Sequence, residues 1–298
     1  MKLDLRHLLV PVDFSETSNK ALAHAAYLAK KANADLLIMH VLPLSQFYFE
    51  IPEPIFVIDN QEDLDNFILQ KLAETADHIR ITYGIQPRIL SRRGTIASEI
   101  VQAAEEEKSD LIIMGTHGAK GFEEMFIGSN AHKVVTLAPC PVLTIQEHSA
   151  NPGFRNIVLP IDRSMHSREK VEAAINLATL YDSKLHILGL LDEDEESEYQ
   201  KLQIVLDQVQ HAVQRAKLPY TRHTVKGDYL AAEALKYGES VKADLIMIMT
   251  DQESRLSGVF LGPLAKQIVN HSRIPVLSIK PHYGSFESIN LGGASTAV

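Results

Sequence analysis

The chain has 298 residues, 45% of them hydrophobic and 22% charged, and Asp plus Glu outnumber Lys plus Arg by 38 to 29. At about 150 residues per domain this reads as two well-cored globular domains, and the formal charge of −9 argues against a nucleic-acid binder or a polybasic membrane-surface protein. The single cysteine, Cys140, leaves no internal disulfide and no CxxC motif; with no long apolar run at Met1–Arg6 or elsewhere, a cytoplasmic protein is expected.

In chain order, short apolar runs at His7–Asp13, Asp35–Leu42, Arg88–Ser91, Leu111–Gly115 and Val142–Ile145 alternate with amphipathic stretches near 15–32, 61–83, 95–108 and 129–137. Ser15 and Thr95 stand where helix N-caps are expected. Leu22, Ala25, Ala26 and Ala29 recur at helical spacing, while Lys30 and Lys31 fall where they can face water. Apolar strands alternating with helices predict a parallel sheet covered on both faces.

The pattern then starts again. The run from His7 through Asp13 to Ser15 returns as Asn156 through Asp162 to Ser164, 149 residues on (Asp13 to Asp162). Asp110–Met114 returns as Asp244–Ile248 and Ala138–Ile145 as Ser272–Ile279, both 134 residues on (Asp110 to Asp244). The second copy is shorter mainly after its second strand, where the first has Pro43–Asn60 and the second only Asp192–Ser197. Three ordered matches indicate a tandem duplication. The expected domains are 1–149 and 150–283, each a doubly wound α/β unit with a five-stranded parallel sheet, followed by a loose polar tail over 284–298. Phe47, Tyr48, Phe49, Ile51, Ile55 and Phe56 make Pro43–Asn60 too apolar for a plain solvent loop; it either covers the sheet or offers a partner-binding patch.

Open α/β sheets bind ligands outside the carboxyl ends of their strands, where strand order reverses. Three segments qualify in the first copy: Pro11-Val12-Asp13, His40-Val41-Leu42 and Met114-Gly115-Thr116-His117-Gly118. The third continues as Gly115-x2-Gly118-x9-Gly128-Ser129 into a helix that opens Asn130-Ala131-His132. A glycine at a strand end lets a ligand approach the backbone, and Gly128-Ser129 at a helix start offers N–H groups, a hydroxyl and the positive end of the helix dipole. The plain alternative is turn punctuation. The third glycine and the serine opening a helix favour a cradle for a di- or triphosphate.

On these residues, with Val10-Pro11-Val12-Asp13 early and Pro141-Val142-Leu143 closing the repeat, the chain resembles the universal stress protein family over both repeats, residues 5–281. The resemblance implies an adenine nucleotide alpha hydrolase-like fold and ATP as ligand. It places Pro11, Val12, Asp13 and Val41 at the adenine end and Met114 and Gly115 at ribose and base. Gly118, Gly128, Ser129 and Asn130 then hold the phosphates, and His117, between two of the glycines, is in reach of them. Read without the resemblance, Asp13 is a helix cap and Val41 a core residue. The resemblance also implies pairing through Pro141–Ile145 and Pro275–Ile279, here within one chain as an internal pseudo-dimer that removes an exposed edge. Whether two chains associate further into a homodimer, and with which protein partner, stays open.

The second copy departs from the pattern: Gly115 aligns with Met249, Gly118 with Gln252, Gly128 with Gly262 and Ser129 with Pro263. Met249 puts a side chain where the nucleotide is expected, and Pro263 removes an N–H and a hydroxyl at the helix start. Charge-assisted bonds to phosphate are worth about 1.5–3 kcal/mol each, so losing two weakens binding by roughly two to four powers of ten. The second site is expected to be closed. Residues 1–149 hold 13 basic and 20 acidic residues and the remainder 16 and 18, so the more acidic half carries the glycine motif. Attraction for ATP must then come from short-range donors and Mg²⁺, with Lys120 and Lys133 more simply read as solvated surface lysines.

No P-loop and no GxGxxG following a strand occur. The thirteen histidines are scattered, and His7, His24, His40, His132, His186 and His271 read as strand or helix residues. Cys140, between two prolines, reads as a buried inert thiol. Three functions follow in order: an ATP-binding stress-type regulator, a nucleotide-independent interaction scaffold, and a slow ATPase or small-molecule hydrolase. The last has no assigned nucleophile or base.

Overall fold

The computed structural model describes residues 3–43, 61–116, 127–149, 152–192, 196–250 and 261–281. The first repeat runs β1 (His7–Pro11), α1 (Glu16–Ala32), β2 (Asp35–Pro43), α2 (Gln61–Tyr83), β3 (Arg88–Gly94), α3 (Ile96–Glu106), β4 (Leu111–Gly115), α4 (Ser129–Leu137) and β5 (Val142–Ile145). The second runs β6 (Asn156–Ile161), a 3₁₀ turn (Met165–Arg168), α5 (Lys170–Tyr181), β7 (Lys184–Leu191), α6 (Glu196–Arg215), β8 (Tyr220–Lys226), α7 (Leu230–Ser240), β9 (Leu245–Met249), α8 (Pro263–His271) and β10 (Val276–Ile279). The expected alternation holds. Residues 44–60 and 282–298 lie outside the described residues, so the apolar loop and the tail read from the sequence are not among them.

The ten strands of the described residues form one sheet in the order β3-β2-β1-β4-β5-β10-β9-β6-β7-β8. Pairing is parallel within each repeat and antiparallel between β5 and β10, where Leu143 faces Leu277. The internal pseudo-dimer is thus built by two short apolar strands that would otherwise be exposed edges. One core runs continuously under α1, α2, α5 and α6, where Phe154 stands edge-on to Tyr181 at 5.2 Å and stacks on His24 at 5.6 Å. On the opposite face each repeat keeps its own core, and the two touch through Ile127 and Leu261.

The aspartates that mark the repeat are strand clamps. Asp110 accepts from the N–H groups of Arg6 and His7 at 2.9 and 2.8 Å, tying the start of β4 to that of β1. Asp244 does the same for Arg155 and Asn156 at 2.8 and 3.0 Å.

Three local expectations change. β1 ends at Pro11 rather than Asp13. β3 continues past Ser91 to Gly94, because Arg92 pairs with Glu99 and Glu106 and Arg93 with Asp65, so charged side chains are tolerated on this edge strand. Ser15 caps α1 by accepting from the Ser18 N–H at 3.2 Å, whereas Thr95 stands at the N-cap of α3 without a side-chain bond.

Candidate functional site

In the first repeat strand order reverses between β1 and β4, so the crevice lies outside their carboxyl ends. A tight turn follows β1. The Val12 N–H donates to Met39 O at 2.7 Å, the Ser15 N–H to Asp13 Oδ1 at 3.0 Å, and the Asp13 N–H to Ser18 Oγ at 3.4 Å. Asp13 is exposed at this turn and, with Ser15 as the cap, it holds the turn rather than capping α1 itself. Pro11 ends the strand, and Val12 is buried beneath the turn. Val41 and Met114 are buried in the core under α3 and α4.

The end of β4 is joined directly to the start of α4: the Gly128 N–H donates to Thr116 O at 2.7 Å and the Thr116 N–H to Ile145 O at 3.0 Å. Helix geometry leaves the N–H groups of Ser129, Asn130 and Ala131 without an intrahelical acceptor, and they carry the positive end of the dipole. Gly128 has φ −59° and ψ 147°, angles open to any residue. His117, Gly118 and Lys120 lie outside the described residues. Lys133 is exposed on the flank of α4 and lines, with Ile127, Ser129, His132 and Asn270, a shallow depression of about 370 Å³. Burial pushes the Cys140 thiol up to about 12, which keeps it protonated and unreactive at neutral pH.

Gly115 has a packing role that its sequence position does not announce. A Cβ there would lie 2.9 Å from Thr17 Cγ2, 3.2 Å from the Thr17 carbonyl carbon and 3.3 Å from the Ser18 nitrogen. Its missing side chain makes room for the first turn of α1.

The universal stress protein family model matches the chain twice, at residues 4–146 and 153–280. The chain belongs to this family. A universal stress protein of Methanocaldococcus jannaschii is 32% identical over 149 residues, 48% of this chain and 82% of its own length. One from Bacillus subtilis is 34% identical over 144 residues, 47% of this chain and 97% of its own length. A crystal structure of a universal stress protein from Archaeoglobus fulgidus covers 92% of this chain and 97% of its own, at TM-score 0.73 and 21% identity, and so shares the fold of both repeats.

The second universal stress repeat keeps the frame and changes the side chains at its strand ends. The Gly262 N–H donates to Thr250 O at 2.8 Å, repeating the closure at α4, and Asp162 accepts from the Ser164 N–H at 3.0 Å. Met249, however, is buried where Gly115 leaves space, and a 3₁₀ turn stands where the first turn of α1 would be. Lys170, at the position of Ala21, is 2% exposed and donates to Ser167 O at 2.9 Å. Burial lowers its pKa to about 8, against the opposing attraction of Asp162. Arg163, at the position of Phe14, pairs with Asp192 at 3.0 Å and with Glu198, bridging the ends of β6 and β7 and the start of α6. Pro263 opens α8 at a position where a missing N–H costs the helix nothing but removes a donor.

Sequence reading placed His40 at a candidate strand end but gave it only a strand residue's role, and it missed Phe14, Arg163 and Lys170. Setting the copies side by side at the 149-residue offset would have exposed these three, as Ala21 against Lys170 and Phe14 against Arg163.

Proposed function

We propose that this universal stress protein is a regulator that binds an adenine nucleotide, ATP with Mg²⁺, in its first repeat and not in its second. The observation that carries the reading is the pair of helix starts. Both are tied to the ends of their strands in the same way, but α4 begins with Ser129 and Asn130 and α8 with Pro263. Asp13, on the turn above Val12, supplies a carboxylate for the base at the neighbouring strand end, and Gly118 and His117 would complete the phosphate cradle. The acidic balance of residues 1–149 makes Mg²⁺ the natural complement to these short-range donors. Occupancy would alter the protein only through a difference in affinity between two conformations, which a protein partner or a second copy of the chain in the cytoplasm would then read.

A nucleotide-independent scaffold is the second reading, and the packing of Gly115 against α1 favours it by giving one motif glycine a structural task. Ser129→Pro separates the two. Proline is tolerated at the first position of a helix, so the fold should persist while one N–H and one hydroxyl are lost. The nucleotide reading expects Mg·ATP affinity, measured by calorimetric titration, to fall by roughly two to four powers of ten. No binding by the parent protein favours the scaffold, and unchanged affinity overturns the assignment of binding to the start of α4; ATP turnover well above buffer background would instead support a slow ATPase.

A further inference from the structure

Phe14 has φ 64°, in the left-handed region that a bulky side chain rarely enters. Among the described residues, the other non-glycine residues with positive φ (Asn33, Lys108, Asp182, Lys217 and Lys242) all follow the ends of helices, where this conformation is routine. Phe14 alone among them precedes a helix. Its ring stacks on the imidazole of His40, with centroids 4.9 Å apart and planes inclined by 24°. His40 in turn reaches Val12 O from Nδ1 at 2.7 Å. A carbonyl only accepts, so Nδ1 carries the hydrogen and, in the neutral ring, Nε2 is an acceptor. Burial lowers the His40 pKa and favours that neutral form. One side chain of β2 therefore grips the backbone on one side of Asp13 and the ring on the other.

None of this is repeated in the second half. Phe14 is replaced by Arg163, engaged in its ion pairs, and His40 by Gly189. A Cβ on Gly189 would lie 2.8 Å from Leu206 Cδ1 and 3.0 Å from Thr224 Oγ1, so no ring fits there. The strained turn and its clamp occur only in the repeat that keeps Ser129 at the helix start.

We propose that His40 is a positioning residue for the base end of the first crevice: through Val12 O and the Phe14 ring it fixes the turn that presents Asp13 to the nucleobase. The proposal rests on the nucleotide reading of the first repeat and assigns a base-specific role within it. The phosphate end, at the start of α4, is expected to be insensitive to it.

The test compares Mg·ATP with Mg·tripolyphosphate, which has the phosphates but no base, as ligands of the parent protein, His40→Ala and His40→Asn. His40→Ala should lose about tenfold in ATP affinity, the size of one positioned hydrogen bond, and keep its tripolyphosphate affinity. His40→Asn, whose amide can still donate to Val12 O, should recover most of the loss. If His40→Ala fails to fold, Phe14→Leu, which removes the stack, carries the same comparison. Equal losses for both ligands, or no loss for ATP, overturn the proposal while leaving the nucleotide reading intact. A parent protein that binds neither ligand overturns both.

Discussion

The two repeats share their strand order, their aspartate clamps and the closure that ties a strand end to the following helix, yet the carboxyl ends of their first strands are filled differently. In the first, Gly115 lets α1 begin at Glu16, Ser15 caps it, and the Phe14–His40 pair folds beside Asp13. In the second, Met249 fills the space under a 3₁₀ turn, Lys170 lies buried beside that turn, and Arg163 is drawn away into ion pairs. A duplicated frame can thus be kept whole by its backbone bonds while the side chains at its strand ends change. Those ends are free to diverge because the clamps lie on other residues.

The largest stability effect should come from Lys170. Its pKa of about 8, against an ordinary 10.5, means that between these values the unfolded chain holds a proton that the folded chain lacks. Stability therefore rises with pH across that window, and below it the buried ammonium costs about 3 kcal/mol. Lys170→Met should raise stability at pH 7 and flatten the pH dependence from 8 to 10.5 in urea melts. A less stable variant at pH 7 would show instead that the ammonium's bond to Ser167 O outweighs its burial.

Copying the second repeat into the first is the next largest test. Gly115→Met must displace the first turn of α1, since the atoms in its way include backbone; a loss of about 1–3 kcal/mol is expected in thermal or urea unfolding. Because this change also disturbs the Asp13 turn, lost nucleotide binding in it would not by itself locate a ligand at Gly115. Unchanged stability would contradict the packing role assigned to this glycine.

The smallest difference concerns the helix starts beside the two aspartates. Ser15→Ala removes a cap bond and should cost about 1 kcal/mol, whereas Ser164→Ala, with no cap bond to lose, should cost less. Equal losses would mean that the 3₁₀ turn depends on Ser164 through its bond to Asp162 as much as α1 depends on its cap.

Much of this architecture was legible in the chain. Short apolar runs such as Leu111–Met114, alternating with helical stretches, read as buried strands, and their return at fixed offsets announced the duplication; the β5–β10 seam came from the family resemblance. Less was legible where polar sequence hides structure: Arg92 and Arg93 extend β3 because carboxylates on α2 and α3 meet them, a tertiary fact with no local signal. The site was half legible. Ser129 and Pro263 could be weighed from helix-start chemistry alone, but the direction in which Gly115 lacks a side chain depends on how α1 crosses β4. Phe14 in the left-handed region could not be read at all, since the sequence offers phenylalanine where the backbone would favour glycine.

The asymmetry between the repeats is tested most directly by counting nucleotides on the intact protein. Native mass spectrometry at saturating Mg·ATP, on the parent chain and on Ser129→Pro, should find a single nucleotide per chain in the first and none in the second. Two nucleotides on the parent chain, or one retained by Ser129→Pro, would contradict the assignment of binding to the start of α4.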